Sequence, residues 1–231
     1  MIRTLLVLLT LVGGNVHASE DSQSWDFAVF LDDQAIGSHR FHLSPNGNSA
    51  VLQSEARFDV KVWFVPVFSY WHRNTETWAD GCLLSIAATT DNNGETLEVN
   101  GKAMNGGFVV RNGDGEADLS GCVMTFAYWN PAILEAERLL NAQTGVYENI
   151  SVTREAEEIL KIGDRPVATE RFRLRAQSGD IILWYSKAER HWVGLSAPTK
   201  GQRRLNYLAS RIPELSKSIT LAAAGSPSDG Y

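Results

Sequence analysis

The sequence predicts an all-β protein, one long antiparallel sheet curled into a barrel or half-barrel with a single short helix beside it. Three observations carry that reading. Between positions 50 and 64 the chain alternates without a break, with Ala50, Leu52, Ser54, Ala56, Phe58, Val60, Val62 and Phe64 on one side and Gln53, Glu55, Arg57, Asp59 and Lys61 on the other. This is the period-2 signature of a strand with one dry and one wet face. At about 3.3 Å per residue such a run spans about 50 Å, longer than a compact sandwich accommodates, so its sheet has to coil. Strand-like runs of similar character follow one another at hairpin spacing, separated by Pro45-Asn46-Gly47, Asp80-Gly81, Asn92-Asn93-Gly94 and Asn112-Gly113-Asp114-Gly115.

Taken in order, positions 1–18 read as an export signal. Arg3 supplies the positive start, Leu5 to Val12 the short apolar stretch, and Val16-His17-Ala18 the small-residue cleavage site. The expected product is an exported, soluble, periplasmic protein. No run approaches the ~20 apolar residues of a membrane-spanning helix, and the first cysteine, Cys82, lies far from the cleavage point, which argues against an N-terminal lipid anchor. A first meander is expected at 25–31, 35–44, 50–64, 68–78, 83–91, 96–102 and 108–111. A second set follows at 123–129, 147–155, 158–162, 167–177, 180–186, 191–196 and 203–209. The helix interrupts them. Asn130 reads as its N-cap and Pro131 as its first residue, with Ile133, Leu134, Leu139 and Leu140 as an apolar stripe ending near Asn141. Positions 19–212 are expected to form one domain and 213–231 a disordered tail.

The formal net charge of −6 argues against nucleic-acid binding. The charge is uneven: positions 19–145 hold 7 Lys/Arg against 17 Asp/Glu, and 146–217 hold 13 against 9. Two halves of one sheet laid side by side would account for this, as would a basic stripe for an anionic partner. The two cysteines, Cys82 and Cys122, are expected to pair in an oxidising compartment. No metal site is expected. His39 and His42 are three apart on a strand and face opposite ways, and neither cysteine has a neighbouring ligand.

The chemistry-bearing candidates are aromatic and polar. Tyr70-Trp71-His72-Arg73, Tyr128-Trp129-Asn130, Trp184-Tyr185 and His191-Trp192 each offer rings to both faces of a strand, which suits either a filled interior or a pocket for an apolar or sugar-like ligand. Arg171, Arg173 and Arg175 line one side of a strand. They could hold an anionic headgroup or pair with Glu155, Glu157 or Asp180 on flanking strands. Neither a nucleophile elbow nor a phosphate loop occurs.

Tyr128-Trp129-Asn130-Pro131, followed by Leu139-Leu140-Asn141-Ala142-Gln143-Thr144-Gly145 and the late pair Leu183-Trp184-Tyr185 with Trp192-Val193, resembles a bacterial exported family known as domain of unknown function 6134. The late hairpin is also similar to the related domain of unknown function 3108. The resemblance implies a curled periplasmic sheet and brings no reaction, cofactor or catalytic residue. The expected function is therefore non-catalytic: binding of a lipid or other amphipathic envelope component, or a structural role at the envelope. Candidate contacts are His72, Arg73, Tyr128, Trp129, Asn130, Gln143, Thr144, Arg173, Trp184 and Tyr185. The rival reading is an enzyme of unknown reaction with Asn130, Gln143, Thr144, His72 and Tyr185 around one cleft.

Overall fold

The computed structural model of the chain describes residues 22–63 and 65–213. The expected signal segment, Phe64 and almost all of the expected tail lie outside the described residues. Eight strands form the first meander: β1 Gln23–Leu31, β2 Gln34–Asn46, β3 Ser49–Val62, β4 Val65–Ala79, β5 Cys82–Asn92, β6 Glu95–Met104, β7 Gly107–Asn112 and β8 Gly115–Ser120. A connecting strap carries a short 3-10 turn at Pro131–Glu135 and a two-stranded ribbon, β9 Arg138–Leu140 and β10 Tyr147–Asn149. The second meander is β11 Ser151–Ile162, β12 Arg165–Ala176, β13 Gly179–Ser186, β14 Trp192–Pro198 and β15 Arg204–Arg211.

The two meanders join through β1 and β15, giving one antiparallel sheet of thirteen strands in the order β11-β12-β13-β14-β15-β1-β2-β3-β4-β5-β6-β7-β8. The sheet coils without closing. The expected alternation along β3 is present: Leu52, Ser54, Ala56, Phe58 and Val60 are buried, and Gln53, Arg57 and Asp59 are exposed. Inward-facing Trp25 and Phe27 of β1, Leu174 of β12, Leu183 and Tyr185 of β13 and Trp192 of β14 meet in one core that draws on both meanders. The concavity is thus largely filled by its own side chains, with Phe27 against Trp192 at 4.0 Å between ring centroids.

Three expectations are corrected. The helix is half its expected length. Asn130 does cap it, its side-chain oxygen accepting from the Ala132 amide at 3.0 Å, but the turn ends at Glu135. Leu139 and Leu140 belong to β9, where pairing with β10 satisfies the backbone that a longer helix would have paired internally. Positions 123–129 keep a strand-like alternation, with Val123, Thr125 and Ala127 buried, yet form no named strand. They run beneath the sheet, tied by Leu83 N–H to Val123 O, Leu140 N–H to Met124 O and Phe126 N–H to Leu140 O. Finally, β8 was not expected. It is an almost wholly exposed edge strand, so Gly115–Ser120 carries none of the apolar alternation by which inner strands are recognised.

Cys82 and Cys122 form a disulfide across 40 positions. It ties the start of β5 to the chain just beyond β8, so β6, β7 and β8 lie inside a closed loop.

Candidate functional site

The register of β4 builds the site. Tyr70, His72, Asn74, Glu76 and Trp78 occupy alternate positions and turn inward, with His72, Asn74, Glu76 and Trp78 buried. Across the ladder the facing residues on β3 are small: Ala56 opposite His72 and Ser54 opposite Asn74. Large polar residues facing small ones leave space. The strap lines that space with Thr125, Phe126, Tyr128, Trp129, Asn141 and Gln143, leaving a half-open cavity of about 240 Å³. His39 and Phe41 of β2 and Ser178 and Ile181 from the far side complete its lining.

Most polar groups here already have partners. Glu76 accepts from Asn74 Nδ2 at 2.8 Å and from Trp78 Nε1 at 2.9 Å, and the Thr125 hydroxyl donates to it as well. Burial nonetheless dominates and raises its carboxyl above the ordinary range. His72 Nδ1 shares a hydrogen bond of 2.8 Å with the Thr90 hydroxyl, and burial lowers its imidazole to about 4. His39 Nδ1 meets Tyr207 Oη at 3.3 Å and is pushed well below its ordinary value by burial, then by its neighbour His72. Tyr70 donates to Gln143 Oε1 at 3.1 Å, and burial raises its hydroxyl. At neutral pH the two imidazoles and the phenol are uncharged.

Three buried atoms of the lining stand apart, one of them the indole N–H of Trp129, which has no acceptor among the described residues. Asn74 Oδ1 and His39 Nε2 have no hydrogen-bond partner among the described residues. Because Asn74 Nδ2 is committed to Glu76, the amide orientation is fixed and its oxygen is left as a free acceptor. His39 Nε2 takes whichever role, donor or acceptor, its Nδ1 leaves it. The cavity therefore offers hydrogen bonds to an uncharged polar group, beside the rings of Phe41, Tyr70, Phe126, Tyr128 and Trp129.

The structure brings four of the sequence candidates to this cavity: His72, Tyr128, Trp129 and Gln143. The rest lie elsewhere. Tyr185 is fully buried, its hydroxyl donating to the Tyr128 carbonyl at 2.8 Å. Asn130 caps the 3-10 turn, and Thr144 lines a separate surface cleft with Asn112, where its carbonyl accepts from the Asn112 amide at 2.7 Å. Arg73 faces outward over the Trp71 ring at 5.2 Å, and Trp184 lies on the outer face beneath Arg171. Arg173 is ion-paired with Glu155 at 2.6 Å and Asp180 at 3.5 Å, within a row in which Arg171 also reaches Glu155 and Glu158. Glu157 pairs instead with Arg154 and Lys187. Sequence reasoning passed over His39, Ser54, Asn74, Glu76 and Thr125. The signal was present for three of them: Ser54 falls in the apolar phase of β3, and Asn74 and Glu76 fall in phase with Tyr70 and Trp78.

A coiled, unclosed antiparallel sheet with a strap through its interior and a small polar cavity under the strap defines a β-barrel-like protein. A crystal structure of a beta-barrel-like protein of domain of unknown function DUF1849 from Brucella abortus has the same fold, with a TM-score of 0.59 at 12% identity, covering 83% of this chain and 95% of that one. The model of the family DUF6134, a domain of unknown function, matches residues 27–208, and the chain belongs to that family. No curated protein matches it.

Proposed function

We propose that this is an exported binding protein that takes the uncharged polar end of an amphipathic envelope component into the cavity beneath its strap. The observation that carries the proposal is the buried Asn74 carboxamide oxygen, which lacks a protein partner in a cavity lined by aromatic rings. An unpaired buried acceptor costs about 1–3 kcal/mol, a cost that folding alone does not require and that a ligand donor removes. At about 240 Å³ the cavity suits a headgroup rather than a whole lipid, so the apolar part of the ligand would stay outside. The Cys82–Cys122 disulfide supports an oxidising, extracytoplasmic location.

The test is mass spectrometry of organic extracts from protein purified out of its native envelope, beside an Asn74→Leu variant. A stoichiometric amphiphile bearing a hydroxyl or amide end is expected with the wild type and is expected to be lost from the variant. Protein that carries no amphiphile, or a variant that retains it, overturns the proposal.

A further inference from the structure

The β3–β4 hairpin differs from the other hairpins among the described residues. Trp63 stands in its turn, whereas the other two-residue tips are polar or glycine, from Asp32-Asp33 and Asp80-Gly81 to Asn93-Gly94, Asn105-Gly106 and Gly163-Asp164. The chain around the tip reads Val62-Trp63-Phe64-Val65-Pro66-Val67-Phe68, without a charge. Trp63 is 90% exposed and Val67 51% exposed, and exposed Lys61 sits just behind them.

The hairpin also projects. Pairing of β2 with β3 ends at Gly37 opposite Phe58, and pairing of β5 with β4 ends at Asn92 opposite Tyr70. Pairing of β3 with β4 continues beyond both, through Asp59–Ser69, Val60–Phe68 and Lys61–Pro66 to Val62–Val65. At about 3.3 Å per residue, the two-stranded ribbon extends about 13 Å past the last ladder pairs, tied along its base by Gln34 Nε2 donating to Lys61 O at 3.4 Å and by the Asn93 amide donating to Ser69 O at 2.8 Å. Val60 and Phe68 at its base pack on Val29, Ile36 and Phe58, which hold the ribbon upright while its end stays in solvent. The turn itself works against local preference. Trp63 has φ +60°, the left-handed region that Asn, Asp and Gly occupy at comparable positions and that a bulky side chain seldom adopts. A tryptophan held there at a conformational cost marks a functional position.

We infer that this tip is a membrane-seating wedge, with exposed Trp63 and Val67 entering the headgroup–acyl boundary of a lipid bilayer. A narrow convex end of this kind is far too small for a stable protein interface, which buries on the order of 1,200 Å² or more. It matches instead the interfacial pattern of an amphipathic indole at headgroup level with a lysine behind it, able to reach anionic phosphates. The inference does not depend on the cavity reading, since the tip lies outside the lining of that cavity.

The test is co-sedimentation with vesicles of phosphatidylethanolamine and phosphatidylglycerol at three to one, with wild type, Trp63→Asn combined with Val67→Ser, and Asn74→Leu. Wild type is expected to partition to the vesicles with a blue shift in tryptophan emission. The tip variant is expected to bind roughly tenfold or more weakly, the scale of one large apolar side chain returned to water. Its melting temperature should hold or rise, because Asn accepts the left-handed turn. Asn74→Leu should bind vesicles as wild type does, which separates the wedge from the cavity. Wild type that ignores the vesicles, a tip variant that binds undiminished, or wild type that ignores the vesicles yet is cross-linked through Trp63 to a protein would each overturn the assignment.

Discussion

His72 shows what the concave face asks of a single side chain. Its imidazole is neutral in the folded protein down to about pH 4 but takes up a proton near 6.5 once unfolded. Between these values the unfolded chain binds more protons, so stability falls as the pH drops through that window, by on the order of 3 kcal/mol in all. Glu76, with its carboxyl raised, pulls the other way and loses stability as pH rises. The comparison of wild type with His72→Gln isolates the histidine: urea unfolding at pH 7 and pH 4.5 should show the variant losing less stability on acidification, and equal losses would refute the assignment. A second residue-scale test reads the register of β3. Phe58 is buried and stacked on Tyr70 at 5.1 Å, whereas neighbouring Asp59 is exposed. Phe58→Ala is expected to cost ~3–5 kcal/mol and Asp59→Ala to stay within about 0.5 kcal/mol. Similar costs at both sites in thermal or denaturant unfolding would mean that the face assignment is inverted.

At the scale of elements, the disulfide closes one part of the sheet. The Cys82–Cys122 bond encloses the outer strands β6, β7 and β8, the last of which is paired on one edge only. In the chain-entropy view a loop of this length contributes about 4 kcal/mol. Reduction is therefore expected to lower the melting temperature and to speed amide exchange first in Gly107–Ser120, with β3 and β4 protected longest; uniform loss of protection would show that the bond does not act locally. These elements also show where the sequence was readable. Inner strands announce themselves because one face is dry, and β1 to β7 were legible for that reason. Edge strand β8 was not, since neither face is buried, and the strap was misassigned because its alternating burial is real but is satisfied beneath the sheet rather than within it. The helix was overextended for a similar cause: the spacing of Leu139 and Leu140 after Ile133 fits a helical face and fits a buried two-stranded ribbon equally well. The cavity was half legible. Its aromatic members stood out by type, whereas Asn74 and Glu76 are ordinary polar residues whose importance comes only from the phase they share with Tyr70 and Trp78.

For the molecule as a whole, two ion pairs cross the seam between the two meanders. Where β1 lies against β15, Arg211 meets Asp26 at 3.4 Å and Arg203 meets Asp32 at 2.8 Å, whereas most basic residues of the second meander pair within it. Exposed pairs of this kind contribute little each, about 0–1 kcal/mol, so their value lies in selecting the register of the join. The seam also has a temporal consequence. Asn206 donates to the Asp32 carbonyl across 174 positions, so one edge of β1 has no native partner until nearly all of the described chain has been made. Contacts of such long sequence separation close late and slowly, which places folding in the millisecond-to-second range for all-β topologies of this type. The joined sheet can therefore be completed only once β15 has been made, however early the hairpins of the first meander form. A chain ending at Arg203, without β15, should show no cooperative unfolding transition, and an intact, sharply melting first meander in that fragment would mean that the halves fold independently and only afterwards meet.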